Sequence, residues 1–252
     1  MKIENLSYHG DQIWRHPLYG SFSRKVDRMG DNRKYAIGVF GISRSGKDSA
    51  IEVFVDIARE NGYDFVHMSP IGMIREKLAG RRLKAMPESE KIRLVQMVRE
   101  EIRDVSEHSN VIVDEHYCFP HDFGGAVLED GYYDEKLPYD IMTIPDAPTV
   151  YEVVLPRFAT QFYDLVAVMK IDPDAIIERM RRSDGCKRNT VATRDDIIHW
   201  QRAEMIGVQH DALGRQIFQS EDYMRNAEAI WGAFEKLVCN NDESGVRFTW
   251  NL

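Results

Sequence analysis

The feature that most constrains this chain is a glycine-rich loop between an apolar run and a helical pattern. The run KYAIGVFGI (34–42) is rich in β-formers, and DSAIEVFVDIAREN (48–61) has apolar residues at helical spacing. Between them the chain reads GISRSGKDS, in which Gly41 and Gly46 allow backbone N–H groups to converge and Lys47 opens the helix. This order predicts a phosphate-binding loop, because the N–H groups, the helix N-terminus and the lysine all attract an anion.

The loop residues are therefore candidates for binding a nucleotide, with ATP as the expected ligand. They are Gly41, Ser43, Arg44, Ser45, Gly46, Lys47, Asp48 and Ser49. An aspartate follows the lysine, where this motif usually carries the Ser or Thr that holds Mg²⁺. Asp48 can supply an oxygen to the metal, or Ser49 can do so in a shifted register. A third alternative is that Asp48 only complements the helix dipole. The sequence leaves all three open.

The rest of the chain alternates predicted strands with predicted helices. The further strands are YDFVHMS (63–69), NVIVDEH (110–116), DLVAVMKI (164–171) and, more weakly, GRQIFQS (214–220). Helical patterns cover about 70–83, 88–105, 173–183 and 221–238. This alternation predicts an α/β fold, a doubly wound parallel sheet of about five strands.

Two segments depart from that alternation and set the expected domain organisation. Residues 1–34 are polar and aromatic with little periodicity, and we interpret them as an N-terminal extension to a phosphate-loop domain over 35–252. Residues 119–150 are rich in Gly, Pro, Asp and Tyr and too long for an ordinary connection. Since they follow the third strand, whose carboxyl end faces the ligand crevice of such a sheet, we expect a functional insertion.

Composition narrows the class of partner. A net charge of -8 over 252 residues argues against a nucleic-acid backbone, and no apolar run is long enough to span a membrane. The start MKIENLSYHG lacks the order of a signal peptide, and three scattered cysteines favour reduced thiols. We expect a cytoplasmic protein that binds small-molecule nucleotide substrates rather than nucleic acid or a membrane. Its oligomeric state stays open, with a homo-oligomer as one alternative.

The ends of two predicted strands add candidate residues. The apolar run NVIV delivers Asp114 to the carboxyl edge of the sheet, where such an acid supports the metal of phosphate-loop enzymes. Asp114 is therefore a candidate for both catalysis and Mg²⁺ binding. Because Glu115 and His116 follow at once, we expect at least one of the three to face a wet cleft. His116 and Ser69, which end the third and second predicted strands, are candidates for binding the second substrate.

An arginine-rich stretch, ERMRRSDGCKRNTVATRDD, follows the fourth strand. Phosphoryl transfer needs cations against the transferred group, best supplied by a segment that closes over it. We expect a lid over about 179–195, with Arg179 and Arg188 contacting the phosphoryl group. The remaining charges of the stretch are typical of a solvated helix face.

These motifs in this order resemble the P-loop nucleoside monophosphate kinases, and most of all the archaeal-type adenylate kinases. The resemblance covers about residues 35–240 and includes GISRSGKDS, SNVIVDEHYCFP, DLVAVMKIDPDAIIERMRRSD and IIHWQRAEMIGVQ. It implies transfer of the γ-phosphate of ATP to a nucleoside monophosphate, with Mg²⁺. Asp114 and His116 then fall on the family's Asp-x-His, and Arg179 on the helix leading into the lid.

The chain also departs from that pattern. The lid reads CKRNT instead of Arg-x-Arg-Asp, and Arg82 and Lys84 are the nearest matches to the arginine that binds the monophosphate. The Gly-Lys-Asp-Ser ending is similar to that of phage deoxynucleoside monophosphate kinases and phosphomevalonate kinases. Two alternatives therefore stand beside the main hypothesis: a kinase of another small metabolite, and a nucleotide-binding ATPase or switch that acts on a protein partner.

Overall fold

The structure is a computed structural model, and it describes most of the chain in eleven segments. These are residues 33–81, 86–120, 122–123, 126–127, 141–144, 146–147, 149–153, 162–182, 192–211, 215–218 and 220–243. The predicted extension thus lies almost wholly outside the described residues, as do parts of the predicted insertion and lid.

The centre of the molecule is a five-stranded sheet in which every described pair of neighbours is parallel. Its strands are β1 (Ala36–Phe40), β2 (Phe65–Met68), β3 (Asn110–Glu115), β9 (Leu165–Met169) and β10 (Arg215–Phe218). They lie in the order β10-β9-β1-β3-β2. All residues of β1 and β9 are buried, as expected for central strands covered on both faces. The predicted parallel α/β sheet is confirmed.

Six described helices connect and cover these strands. They are α1 (Lys47–Glu60), α2 (Pro70–Leu78), α3 (Glu88–His108), α4 (Pro173–Arg182), α5 (Arg194–Asp211) and α6 (Tyr223–Glu243). Helix α1 packs against α6, α2 against α3, and α4 against α5. Helix α2 ends several residues earlier than predicted, because Ala79 and Gly80 both adopt a positive φ, of 48° and 85°. No helix of the described residues is long and apolar enough to cross a membrane.

The described part of the predicted insertion forms a small antiparallel sheet. Strands β4 (Cys118–Pro120), β8 (Tyr151–Val153) and β7 (Ile141–Met142) pair in the order β4-β8-β7. A separate pair joins β5 (Asp122–Phe123) to β6 (Ala126–Val127). Since β4 starts three residues after β3 ends, this sheet adjoins the carboxyl edge of the main sheet.

Two of the three cysteines fall within the described residues, and both are free thiols. Cys118 is buried in β4, and Cys239 is exposed on α6. Cys186 lies outside the described residues.

Candidate active site

The glycine-rich loop joins β1 to α1 as the sequence predicts. Gly41 and Gly46 adopt φ values of 151° and 89°, a region that L side chains rarely enter. A Cβ atom at Gly41 would also lie 3.0 Å from the Ser45 hydroxyl, so glycine keeps this turn tight. Gly46 is the N-cap of α1 and offers no side chain to cap it, so the helix start remains available to an anion.

The loop contains one residue whose backbone is strained. Arg44 adopts a φ of 67° without being glycine, and its side chain is exposed. Such conformations cost of order 1–3 kcal/mol and cluster at functional sites. Ser43 is half-buried beside it, while Ser45 is buried with a hydroxyl that has no partner within the described part of the chain.

Lys47 is buried against the loop that precedes it, with only 5% of the residue exposed. Its Nζ donates hydrogen bonds to the carbonyl oxygens of Gly41 at 2.7 Å and Ile42 at 3.2 Å. The same Nζ lies 3.5 Å from Asp114 Oδ1 and 3.5 Å from His116 Nε2. The ammonium group therefore joins the loop to the carboxyl end of β3.

Asp114 and Asp48 form a pair of carboxyl groups in front of that lysine. The pKa of Asp114 is raised from 3.8 to about 6, mainly by burial. Lys47 lowers it, and the charge and hydrogen bond of Asp48 add to the rise. Two carboxylates this close repel each other unless a proton or a cation lies between them. Asp114 Oδ1 is moreover buried and makes no hydrogen bond to any described residue.

This arrangement fits Mg²⁺, which is commonly held by one or two carboxylates, with waters and substrate phosphates completing its shell. Asp48 and Asp114 would hold the ion. Within the described residues no group of three or more His, Cys, Asp or Glu side chains could bind a metal, so the remaining ligands would come from substrate and solvent. Ser49 is exposed on α1, and no described contact joins it to Asp114.

Arg179 lies over the loop from the end of α4. Its Nη1 donates to the carbonyl oxygen of Arg44 at 3.2 Å, and its Nη2 donates to that of Glu221 at 3.4 Å. A Cβ atom at Gly46 would lie 3.4 Å from Nη1. The structure thus brings Arg179 to the loop, and its contact with a transferred phosphoryl group stays a prediction. Arg188, Arg82 and Lys84 lie outside the described residues.

His116 and Ser69 are both placed in roles within the fold. His116 is buried, its ring centroid lies 4.8 Å from that of Phe119, and its Nε2 contacts Lys47. Ser69 caps α2, where its hydroxyl accepts the N–H of Gly72 at 3.4 Å. A role for either residue in substrate binding stays a prediction.

Glu115 is not the residue of the Asp-Glu-His run that faces a cleft. Only 2% of this residue is exposed, yet its carboxylate is fully used. It accepts hydrogen bonds from both terminal nitrogens of Arg99 on α3 and from the hydroxyl of Tyr163. Burial and this neighbouring carboxylate raise the pKa of Tyr163 well above its usual value.

The Glu115 cluster also explains a glycine in the middle of β1. A Cβ atom at Gly38 would lie 2.7 Å from the ring of Tyr163, so the ring can pack on β1 at this position only if the residue is glycine. Through these contacts Glu115, the residue next to Asp114, is bound to helix α3 and to Tyr163, which lies two residues before β9. The sequence carries a weak signal for it, namely an acid that directly follows an apolar strand.

Sequence reasoning missed Glu204, a buried carboxylate of α5. Its Oε1 accepts the N–H of Tyr117 at 2.8 Å, and its Oε2 accepts that of Cys118 at 3.1 Å. Burial raises the pKa of Glu204 from 4.5 to about 7, although these bonds, the charge of Lys47 and a bond from the N–H of Gly41 oppose the shift. The only signal for Glu204 in the sequence is that a charged residue lies on the helix face that Trp200, Ala203 and Val208 bury.

His67 of β2 also lies near the site and was not predicted. Its pKa is lowered, mainly by burial, while the negative charges of Asp48 and Glu52 on α1 act in the opposite direction. The carboxyl ends of β2 and β3 and the start of α1 therefore meet in one place.

Comparison with known proteins gives a distant structural likeness. No protein-family model matches the chain, and no curated protein sequence is significantly similar to it. Among solved structures, one match is a shikimate kinase from Bacteroides thetaiotaomicron, with 15% identity and a TM-score of 0.46 over 81% of this chain and 98% of that one. Another is a shikimate kinase from Acinetobacter baumannii in complex with shikimate, with 10% identity and a TM-score of 0.47 over 84% and 97% of the two chains.

Likeness at this level carries no conclusion about the substrate of this chain. Neither of these two neighbours is an adenylate kinase, so the resemblance to that family stays a prediction from sequence.

Proposed function

We propose that the protein is an ATP-dependent phosphotransferase that moves the γ-phosphoryl group of ATP to a small-molecule acceptor. One observation carries the proposal. At the carboxyl edge of a parallel sheet, Lys47 of the phosphate loop lies 3.5 Å from Asp114, whose carboxyl group also contacts that of Asp48. Donor phosphates, a divalent cation and the reacting oxygen would meet at this point.

The proposed chemistry requires positioning and charge neutralisation rather than a covalent intermediate. The loop N–H groups and Lys47 would bind the phosphates of ATP, and Lys47 would then exchange a backbone carbonyl for a phosphate oxygen. Mg²⁺ held by Asp48 and Asp114 would neutralise charge on those phosphates when bound. Arg179 and, from the predicted lid, Arg188 would stabilise the transferred group.

Burial of these groups favours transfer over hydrolysis. Lys47 and His116 are both buried, and electrostatic attraction strengthens where water is excluded. An ATPase or switch, the third alternative from the sequence, does not need an arginine such as Arg179 beside the loop. We therefore place a kinase ahead of that alternative.

The acceptor belongs to one of two classes. The resemblance to nucleoside monophosphate kinases favours a monophosphate, with Ser69, Arg82, Lys84 and His116 as its proposed contacts. The small antiparallel sheet β4-β8-β7 supports the other class, a hydroxylated or phosphorylated metabolite of different shape. Because this sheet begins two residues after His116, its described strands can shape the acceptor side of the site.

The deciding experiment is ADP formation from ATP and Mg²⁺ over a panel of acceptors. The panel contains ribonucleoside and deoxyribonucleoside monophosphates, and hydroxylated acids including shikimate. We expect ADP formation that depends on one class of acceptor. ADP formation at the same rate without any acceptor would contradict the kinase and favour an ATPase.

The matched control for that panel is Lys47→Met, which keeps an apolar chain of similar length and removes the charge. Its acceptor-dependent rate should fall by about 10²-fold or more, the usual effect of losing one group that stabilises transition-state charge. Circular dichroism and urea unfolding should show a folded variant. A folded Lys47→Met protein with full activity would exclude this site.

A further inference from the structure

We propose that Glu204 is a positioning residue of the phosphate loop, which its carboxylate joins to the segment that it holds through the N–H groups of Tyr117 and Cys118. The proposal concerns the same site as the proposed function and rests on it only for its effect on ATP. It assigns to α5, a helix that supplies none of the proposed phosphate or metal ligands, the task of holding two parts of the site together.

Both oxygens of the buried Glu204 carboxylate have hydrogen-bond donors. Glu204 is 1% exposed, and an ionised carboxylate at this depth is strongly disfavoured unless hydrogen bonds compensate it. Both of its oxygens accept backbone N–H groups, from Tyr117 at 2.8 Å and Cys118 at 3.1 Å, and the carboxylate also faces the N–H of Gly41. An apolar residue would avoid the desolvation but would leave these donors without this acceptor.

The N–H groups around Glu204 belong to two parts of the site, the phosphate loop and the segment just beyond β3. Gly41 is the first residue of the phosphate loop, and its carbonyl oxygen accepts the Nζ of Lys47 at 2.7 Å. Tyr117 and Cys118 follow Asp114 by three and four residues. Glu204 thus fixes one neighbour of the lysine and one neighbour of the acid, and with them the distance between Lys47 and Asp114.

Helix α5 docks closely on the same segment. Trp200 donates its indole N–H to the carbonyl oxygen of Cys118 at 2.9 Å. At Gly207 a Cβ atom would lie 2.0 Å from the ring of Tyr117, so glycine lets this ring pack directly on the helix. Trp200, Glu204 and Gly207, which lie on successive turns of α5, therefore all contact the chain immediately beyond β3.

The test replaces Glu204 by Gln, which preserves the shape of the side chain. The amide offers one acceptor oxygen and turns an NH₂ group towards backbone N–H donors, so at least one bond is lost. We expect hydrogen exchange at the loop amides of Gly41, Ser45 and Gly46, measured by NMR, to accelerate by about tenfold or more, because a buried bond between charged and neutral groups is lost. The dissociation constant of Mg²⁺-ATP should rise by a similar factor.

The matched control is Gln201→Met on the same helix. Gln201 is also buried, and its Nε2 donates to the carbonyl oxygen of Ile171 at 2.7 Å, a residue outside the loop. Its loss weakens the docking of α5 without removing an acceptor from Gly41. We expect unchanged exchange at the loop amides in this variant.

Three outcomes decide the matter. Loop exchange that accelerates in Glu204→Gln alone supports the positioning role. Exchange that stays at the parent's rate in Glu204→Gln, or that accelerates equally in Gln201→Met, overturns it. If the loop loosens as expected but the parent binds no ATP, the proposed kinase function fails while the positioning role stands.

A second variant covers the case in which Glu204→Gln does not fold. Glu204→Asp keeps the charge and shortens the side chain by one methylene, so one carboxylate no longer reaches both segments. It should also accelerate exchange at the loop amides, although it retains acceptors for one segment. Parent-like protection of the loop in this variant would contradict the proposal.

Discussion

At the scale of single residues, the carboxyl groups of Asp48 and Asp114 stand out because they contact each other beside one lysine. Burial, with a smaller contribution from the charge of Asp48, raises the pKa of Asp114 to about 6. A divalent cation would remove that repulsion more completely than Lys47 does, because it carries twice the charge. Of the alternatives that the sequence leaves open for Asp48, this contact favours the metal.

The first prediction follows for the Mg²⁺ requirement. Asp48→Asn keeps the shape and one oxygen but loses the charge, so the Mg²⁺ concentration for half-maximal activity should rise by about tenfold, in the range for weakened metal sites. Asp48→Ser restores the common motif and should stay closer to the parent. The measurement is activity against Mg²⁺ concentration at saturating ATP.

A control on the same helix separates this effect from a general change in charge. Asp56 is exposed on α1 and paired with Arg59 at 2.9 Å, remote from the loop. Asp56→Asn should leave the Mg²⁺ curve unchanged. Superimposable curves for the parent and both Asp48 variants would restrict Asp48 to the helix dipole, worth roughly 0.3–1 kcal/mol of stability, and favour Ser49.

At the scale of elements, the end of β3 and the residues just after it are held by side chains from three helices. Asp114 faces Lys47 at the start of α1, and Glu115 is bound by Arg99 of α3. The next residues, Tyr117 and Cys118, are bound by Glu204 of α5. The carboxyl end of this strand is therefore fixed by helices from three parts of the chain.

The second prediction compares two glycines in the interiors of helices. At Gly207 of α5 a Cβ atom would overlap the ring of Tyr117, whereas at Gly232 of α6 nothing described lies within 4 Å. Gly207→Ala should lower the free energy of unfolding by about 1–3 kcal/mol, as overpacking does. Gly232→Ala should raise it by about 0.5–1 kcal/mol, because alanine favours a helix over glycine.

Urea unfolding of both variants checks this pair, and activity adds a second reading. Because Tyr117 belongs to the segment that Glu204 holds, Gly207→Ala should also reduce the acceptor-dependent rate. Gly232→Ala should leave that rate unchanged. A stable, fully active Gly207→Ala protein would mean that α5 does not dock on Tyr117 as the structure describes.

Elements that depend on nearby residues could be predicted from the sequence. The five strands and the phosphate loop follow from short apolar runs and from two glycines and a lysine at fixed spacing. The burial of Glu204 could not be predicted, because its partners lie 87 and 86 residues earlier in the chain. The two- and three-residue strands after β3 have too few residues for a period, and α2 ends early at Ala79, a residue that usually favours helix.

At the scale of the whole molecule, the site is a source of instability at neutral pH. Two carboxyl groups, Asp114 and Glu204, have pKa values raised to about 6 and about 7 because they are buried. A raised pKa means that the folded protein prefers the protonated form more strongly than the unfolded chain does. Stability should therefore fall as pH rises through the window between the unfolded and folded pKa values. The proposed function needs the ionised form of Asp114, because a protonated carboxyl group binds Mg²⁺ poorly.

The last prediction tests this conflict with Asp114→Asn. Above pH 6 the parent carries an ionised, buried Asp114 that destabilises the fold, and the amide removes that charge. The variant should be more stable than the parent by about 1–3 kcal/mol at pH 8, given 1.36 kcal/mol per unit of pKa shift. The difference should shrink as pH falls from 6 towards 4, where Asp114 of the parent is protonated in the folded state. Glu204 is present in both proteins, so its titration cancels in the comparison.

Urea unfolding at pH 8 and pH 4.5 measures the difference in stability between Asp114→Asn and the parent, and the activity of the variant should be strongly reduced at both pH values. A stability difference that is constant with pH, or larger in acid, would contradict a raised pKa at Asp114.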